Sequence, residues 1–359
     1  MPIIQIVPQL PPAINGLGDY ALNLACQIRN DHALETEFIV CDPVWKGESE
    51  IEGFPVHQSN SRSSTDLIAQ LNQLQATTVL LHYVGYGYAK KGCPTWLIKA
   101  LERWKASHPN SRLVTMFHEP YASGPIWTSA FWLSSLQKQL ATRLARLSDR
   151  CVTSNEIVTS ILERMVNPTT QADIITLPVF SNVGEPDHLK PLADRPRRLV
   201  VFGSRGVRKR AYEQAYANLA ATAKALAIDT IYDIGAPTGL EITEVDNIPV
   251  ISLGKCSADE VSEHLHQSIA GFLDYSPRLL AKSTIFAAYA AHRVLPIVNA
   301  LPENIRIDGL ESGKHYWMAA STDALNPLVG EAIAHNAHQW YQTHALPVQA
   351  HTFATHLAH

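Results

Sequence analysis

Short apolar runs alternate with helical stretches in this chain, stop at a proline-rich break, and then alternate again. This double alternation constrains the fold most. Strands separated by helices pair in parallel, and a parallel sheet needs helices on both faces. The first half offers strands at Ile3–Val7, Thr36–Cys41, Thr78–His82 and Arg112–Phe117, with helices at Thr65–Leu74, Pro94–Ala106 and Trp127–Leu147. Between Pro178 and Arg198, Asn182, Gly184, Pro186, Pro191 and Pro196 interrupt every periodicity, as a linker does. Beyond it come strands at Leu199–Phe202, Thr230–Ile234, Val250–Leu253, Ile269–Leu273 and Leu295–Val298, and a helix at Ala211–Leu226. Ser257–Ala258–Asp259–Glu260 has the form of a capping box, and the segment from Pro327 reads as helix broken near Pro347. The pattern predicts two successive α/β units.

Length and composition agree with that reading. At roughly 100–200 residues per domain, 359 residues favour two domains, each able to bury a core unaided. A net charge of −4 argues against general affinity for nucleic acid. Five scattered cysteines without a C-x-x-C pair suit a reducing compartment. No apolar run approaches the roughly 18 residues of a spanning helix. The expectation is a cytoplasmic protein without a transmembrane segment, with peripheral attachment at the inner membrane left open; its oligomeric state is not readable.

Several segments could carry chemistry. Asn15–Gly16–Leu17–Gly18–Asp19–Tyr20–Ala21 formally matches a dinucleotide fingerprint, but a Pro-rich stretch separates it from the strand, where the fingerprint needs a tight turn. It is read as a substrate-facing loop, with a plain structural turn and an NAD site as alternatives. From Arg195 to Arg210 there are seven cationic residues and no acidic one. Arg195, Arg197 and Arg198 precede a strand and read as surface. Arg205, with Lys209 or Arg210, follows it, where an open α/β sheet binds ligands and a diphosphate would meet charge-assisted hydrogen bonds. The alternative is a solvated helix face. Lys282–Ser283–Thr284 opens a helix and could bind an anion or simply cap it. Tyr83, Tyr86 and Tyr88, spaced by glycines after a strand, offer aromatic faces to a sugar acceptor or pack as core edges. His118 and Glu119 end another strand as candidate general bases, with a structural histidine the competing reading. The C-terminal histidines His335, His338, His344, His351, His356 and His359 lack accompanying ligands, so no metal site is expected.

Four of these stretches together resemble bacterial nucleotide-sugar glycosyltransferases of the GT-B fold, particularly the group containing the retaining family-four enzymes: Gly16–Tyr20, His118–Glu119–Pro120, Phe202–Arg205 with Lys209 and Arg210, and Lys282–Tyr289. The resemblance implies two Rossmann-like domains facing a central cleft. An acceptor domain would span 1–185 and a donor domain 186–335, with 336–359 packing back on the first. It implies transfer of a sugar from a nucleoside-diphosphate sugar to a hydroxyl of a carbohydrate, lipid-linked or small-molecule acceptor, with no cofactor required. Arg205, Lys209 or Arg210, Lys282, Ser283 and Thr284 would hold the donor, Gly16 and Gly18 would approach it, and His118, Glu119 and Asp19 would be the catalytic candidates. One departure stands out. The family's paired glutamates, with seven residues between them, fall on Leu280 or Ala281 and on Ala288 or Tyr289, none of them acidic. A catalytically weak or inactive nucleotide-sugar-binding protein is therefore an alternative, and an NAD-dependent oxidoreductase a second.

Overall fold

A computed structural model describes residues 2–13, 16–122, 124, 127–166, 173–300 and 306–358. The chain divides into two compact units, Met1–Pro178 with Leu346–His359, and Val179–Ala345. The break thus falls at Pro178, earlier than the expected 185, and the segment joining the first unit begins at Leu346 rather than 336.

In the first unit the strands are β1 (Ile3–Val7), β2 (Thr36–Val40), β3 (Glu50–Ile51), β4 (Phe54–Gln58), β5 (Thr78–Val84), β6 (Arg112–Glu119), β7 (Arg150–Thr153) and β8 (Asp173–Thr176). They form one sheet in the order β3-β4-β2-β1-β5-β6-β7-β8, parallel except for the antiparallel pair β3–β4. Its helices are α1 (Gly16–His32), α2 (Ser64–Gln73), α3 (Gly85–Tyr88), α4 (Thr95–Ser107), α5 (Ser129–Leu147) and α6 (Glu156–Glu163). Every residue of β1 is buried, as expected of a strand covered on both faces. Ser63 starts α2 and Asn155 starts α6 by accepting from backbone N–H groups of the first turn.

The second unit contains β9 (Arg198–Phe202), β10 (Thr230–Ile234), β11 (Glu244–Val245), β12 (Ile248–Gly254), β13 (Ala270–Asp274), β14 (Leu295–Asn299) and β15 (Trp317–Met318), ordered β11-β12-β10-β9-β13-β14-β15. Its helices are α7 (Arg205–Glu213), α8 (Tyr216–Ala225), α9 (Ala258–His266), α10 (Thr284–Ala291) and α11 (Pro327–Gln342). Where the sequence suggested one helix over Ala211–Leu226 there are two, and the first begins at Arg205. The expected capping box is present, Ser257 and Glu260 each accepting from the other's backbone N–H. The last helix, α12 (Leu346–Leu357), returns to the first unit and lies along α1. Pro347 sits in its opening turn, where a missing N–H costs nothing.

Strand order reverses between β1 and β5 in one sheet and between β9 and β13 in the other. In open α/β sheets ligands bind outside the carboxyl ends of the strands at such switch points. Each unit therefore has one place where its topology favours a site.

Candidate functional site

In the first unit the switch point is built from polar side chains set into apolar strands. Gln5 on β1 and His82 on β5 are both fully buried. His82 Nε2 lies 2.9 Å from Gln5 Oε1, and its Nδ1 lies 3.2 Å from His118 Nε2 on β6. The two imidazoles stack with centroids 5.5 Å apart. Register between β5 and β6 shifts here: Tyr83 opposes Phe117 and Val84 opposes Glu119, leaving His118 as the extra residue of a bulge. Bulges of this kind re-aim side chains beside sites. Tyr20 of α1 stands edge-on to both rings, at 5.9 Å from His82 and 5.3 Å from His118. Its hydroxyl donates to Gln349 of α12 at 2.6 Å, and the Gln349 amide donates to the Pro178 carbonyl at 2.5 Å. Burial, with His118 beside it, holds the His82 imidazole well below its ordinary pKa, so it is neutral.

The other candidates of this unit are placed as follows. Glu119 ends β6, partly buried. Asp19 lies in the first turn of α1, where burial pushes its carboxyl up from the usual range. Gly16 and Gly18 belong to α1 rather than to a loop. Gly16 is exposed at the helix start, whereas Gly18 is buried and a Cβ there would lie 2.6 Å from the Gln9 carbonyl oxygen. The second glycine thus lets helix backbone approach loop backbone. No tight strand-to-helix turn of the dinucleotide type forms, since residues 8–15 intervene. Of the three tyrosines, only Tyr86 reaches solvent, at 39% exposure. Tyr83 packs in the core against Phe117, and Tyr88 is buried with its hydroxyl on the carbonyls of His82 (2.8 Å) and Ile6 (3.1 Å). Burial of Tyr83 and Tyr88 removes both from the expected acceptor surface, of which Tyr86 alone is exposed. β5 runs two residues past the expected His82, and the extra length carries Tyr83 into the sheet.

The second unit gathers cations at the carboxyl ends of β9 and β13. Arg205 opens α7, exposed, with Nε donating to the Thr238 carbonyl at 2.9 Å. Arg210 reaches the end of β13, where its Nε lies 2.7 Å from Asp274 Oδ2. Asp274 also accepts from Asn299 at 2.7 Å, and Asn299 from Asn218 at 2.8 Å. A cavity of about 370 Å³ opens there, lined by Arg210, Asp274, Tyr275, Ser276, Pro277, Asn299 and Ala300. Lys209 instead pairs with Glu213 one turn along its own helix at 3.4 Å. Of the two residues left open, Arg210 is the one at the strand end; Lys209 belongs to the helix face. Ser283 caps α10 by accepting from the Phe286 N–H at 3.2 Å, with Thr284 as the first helical residue and Lys282 half-buried just before it. The start of α10 packs on the β9–α7 turn, because a Cβ at Gly203 (φ +128°) would lie 2.3 Å from Ile285 Cδ1. The amino termini of α7 and α10, each carrying partial positive charge, therefore flank the β9–α7 turn, while the Arg205 side chain turns to the loop after β10 at Thr238 and Gly239.

Other cations of the run are structural. Arg208 is fully buried, 3.1 Å from Asp233, and also donates to the carbonyls of Gly203 and Ala236. Arg195, read as surface, is buried and donates to the carbonyls of Lys190, Ser268 and His292. Leu280 and Ala281, and Ala288 and Tyr289, the alternative positions where the resemblance places glutamates, are all core residues, the Tyr289 hydroxyl lying 3.3 Å from the carbonyls of Val200 and Phe272. Among the described residues no group of three or more His, Cys, Asp or Glu side chains could hold a metal, and no helix is long and apolar enough to cross a membrane. His359 lies outside the described residues.

Gln5, Tyr20, His82, Asp274 and Asn299 were not singled out from sequence as site residues. A signal existed for two of them: Gln5 and His82 are polar interruptions in the apolar runs IIQIV and TVLLHYV.

No protein-family model and no curated protein matches the sequence. Solved structures do match. Sucrose-phosphate synthase from Thermosynechococcus elongatus superposes with a TM-score of 0.63 at 12% identity, covering 100% of this chain and 99% of the other. An alpha-glucosyltransferase in complex with UDP-glucose and DNA gives 0.59 at 12% identity, over 96% and 95%. WaaG, a glycosyltransferase involved in lipopolysaccharide biosynthesis, gives 0.57 at 11%, over 99% of each chain. At such identities the likeness concerns the fold: two mixed, mostly parallel α/β domains matching GT-B glycosyltransferase structures.

Proposed function

Starting from a chain with the fold of GT-B glycosyltransferases, we propose that this protein transfers a glycosyl group from a nucleoside-diphosphate sugar to an acceptor hydroxyl. The observation that carries the reading is the start of α10 packed on the β9–α7 turn in the second unit, with Arg210 at the end of the neighbouring β13; Arg205, at the start of α7, is the further donor candidate. A departing diphosphate gains negative charge in the transition state, and donors fixed in advance stabilise it without reorganising. Arg210 would share its guanidinium between Asp274 and a phosphate, and Lys282, the Ser283 hydroxyl and the Thr284 N–H would face the same anion, the Ser283 N–H being held by the Leu280 carbonyl at 2.9 Å. In the first unit His118 and Glu119 are the candidate proton acceptors, and Tyr86 is the exposed aromatic face for a carbohydrate, lipid-linked or small-molecule acceptor. No protein-bound cofactor enters this reading.

A second reading, nucleotide-sugar binding without turnover, is favoured by the burial of Leu280, Ala281, Ala288 and Tyr289, the alternative positions where the resembling enzymes would carry acidic groups.

Calorimetry with UDP-, GDP- and ADP-sugars and with NAD tests the donor site. One charge-assisted hydrogen bond is worth roughly 1.5–3 kcal/mol, so Arg210→Ala and Arg205→Ala are each expected to weaken nucleotide-sugar binding about 10-fold or more. Unchanged affinity in both variants, or affinity for NAD alone, overturns the assignment. Binding without product across an acceptor panel selects the second reading.

A further inference from the structure

Between Tyr83 and Ser148 the chain carries nine Lys or Arg residues, two Glu and no Asp, a surplus of seven positive charges within a protein whose net charge is −4. The same stretch holds five of the ten large apolar side chains that stand exposed among the described residues: Tyr86, Trp127, Phe131, Trp132 and Leu136. Trp127 is 81% and Trp132 74% exposed. Both features meet at the start of α5. Trp132 and Leu136 lie one turn apart on that helix, and the rings of Phe131 and Trp132 meet edge to face with centroids 5.5 Å apart. The opposite face of α5, with Gln137, Leu140, Ala141 and Leu144, is buried. Gln137 ties the loop after α3 to this helix: its amide donates to the Lys91 carbonyl at 2.9 Å and lies 3.4 Å from the Tyr86 hydroxyl. Exposed Lys90 and Lys91 are thus held next to α5, and exposed Lys138 follows Phe131 two turns along the same helix face.

We infer that this face of the first unit docks on a membrane surface containing anionic lipid. Trp127, Phe131, Trp132 and Leu136 enter the boundary between headgroups and acyl chains, and Lys90, Lys91 and Lys138 meet lipid phosphates. A contiguous apolar patch left in water marks an interaction surface. Indole rings settle at the headgroup level of a bilayer, where the ring leaves water while its N–H keeps a hydrogen bond. A helix lying in that plane, apolar on one side and bordered by cations, adds attraction to acidic headgroups to the burial of its apolar face. A nucleic acid would call for arginine forks on phosphates and base edges, whereas the cations next to these rings are all lysine, compact charges that suit a lipid phosphate. A neutral apolar partner would leave the surplus charge unmatched. Docking of this kind does not depend on the transfer reading; where that reading holds, an acceptor anchored in the same bilayer is presented beside Tyr86.

Co-sedimentation of the full-length protein with vesicles tests the docking, the two surfaces being phosphatidylcholine alone and phosphatidylcholine mixed with phosphatidylglycerol. The protein is expected to bind the mixed vesicles, less as salt is raised, and to leave the neutral ones in suspension. Brominated acyl chains are expected to quench part of the tryptophan fluorescence of the bound protein, and that part to vanish in Trp127→Ser with Trp132→Ser. This double variant, and Lys90→Glu with Lys91→Glu, are each expected to bind mixed vesicles about 10-fold or more weakly with an unchanged thermal unfolding midpoint. No binding to mixed vesicles, equal binding to both surfaces, or undiminished binding in both variants overturns the inference. The patch is a self-interface if sedimentation equilibrium shows a dimer that the tryptophan variant loses, and a nucleic-acid site if a single-stranded oligonucleotide binds where vesicles do not; either result overturns the docking. Nucleotide-sugar calorimetry is expected to be the same in both variants as in the wild type, so loss of vesicle binding and loss of donor binding count against separate readings.

Discussion

Tyr83 and Tyr88 sit five residues apart and are equally buried, yet their hydroxyls differ. Tyr88 donates to carbonyls at the ends of β1 and β5, whereas the Tyr83 hydroxyl has no hydrogen-bond partner among the described residues. A buried hydroxyl without a partner forfeits about 1–3 kcal/mol of desolvation, and a typical made bond contributes about 1 kcal/mol. Tyr83→Phe is therefore expected to leave the urea midpoint unchanged or raise it, and Tyr88→Phe to lower it by about 1 kcal/mol equivalent. A loss in Tyr83→Phe as large as in Tyr88→Phe would mean the two hydroxyls are equally engaged. From sequence the three tyrosines read alike, because spacing by glycine says nothing about which phenol faces a carbonyl.

At the scale of elements, the basic run is divided by the turn of α7. Successive residues on a helix point about 100° apart, so adjacent cations on α7 serve different ends. Arg208 turns inward to Asp233, Lys209 lies along the helix surface by Glu213, and Arg210 crosses to β13. Arg208 links β9, the start of α7 and the end of β10 through Gly203, Asp233 and Ala236, while Tyr212 adds a second bond to Asp233 at 3.2 Å. Burial pushes the Asp233 carboxyl up, and Arg208 works against that push. Removing one partner of a buried pair strands the other, at a typical cost of 3–5 kcal/mol. Arg208→Met is expected to lose about that much in chemical unfolding, and Arg208→Met with Asp233→Asn to recover part of it. An unfolding midpoint unchanged in the single variant would remove the pair from the account of stability.

Across the whole molecule several histidines are buried in neutral form. Burial holds His82 well below its ordinary value, His292 down at about 4 and His344 at about 3. At His292 desolvation is the main cause, with Arg195 adding to it, while the contact of Nδ1 with the Ala288 carbonyl at 2.8 Å works the other way. The unfolded chain takes up these protons near the usual histidine pKa of about 6.5, and the folded chain much lower. The unfolded state then binds more protons between those limits, so stability is complete above about pH 6.5 and falls with acidity toward pH 4. His292 alone accounts for about 3 kcal/mol over that window. Thermal unfolding is expected to show a midpoint dropping steadily below pH 6.5, with a shallower drop in His292→Gln. A midpoint flat from pH 7 to pH 4.5 would contradict it.

Sequence alone determined that the chain alternates strand and helix twice about a proline-rich break between Pro178 and Arg198, that Ile3–Val7 is a buried strand, and that α9 starts at a capping box. These follow from side-chain periodicity and local hydrogen bonding, which a few neighbouring residues define. It also placed cations and histidines after strands, where an open sheet binds ligands. Tertiary structure decided which of those groups meet. His82 joins Gln5 and His118 because strand order puts β5 between β1 and β6, and Arg210 rather than Lys209 reaches Asp274 because β13 lies beside β9. Arg195 is buried because carbonyls of Lys190, Ser268 and His292 converge on it. Such pairings join residues distant in the chain through sheet order and helix facing, which no local pattern encodes.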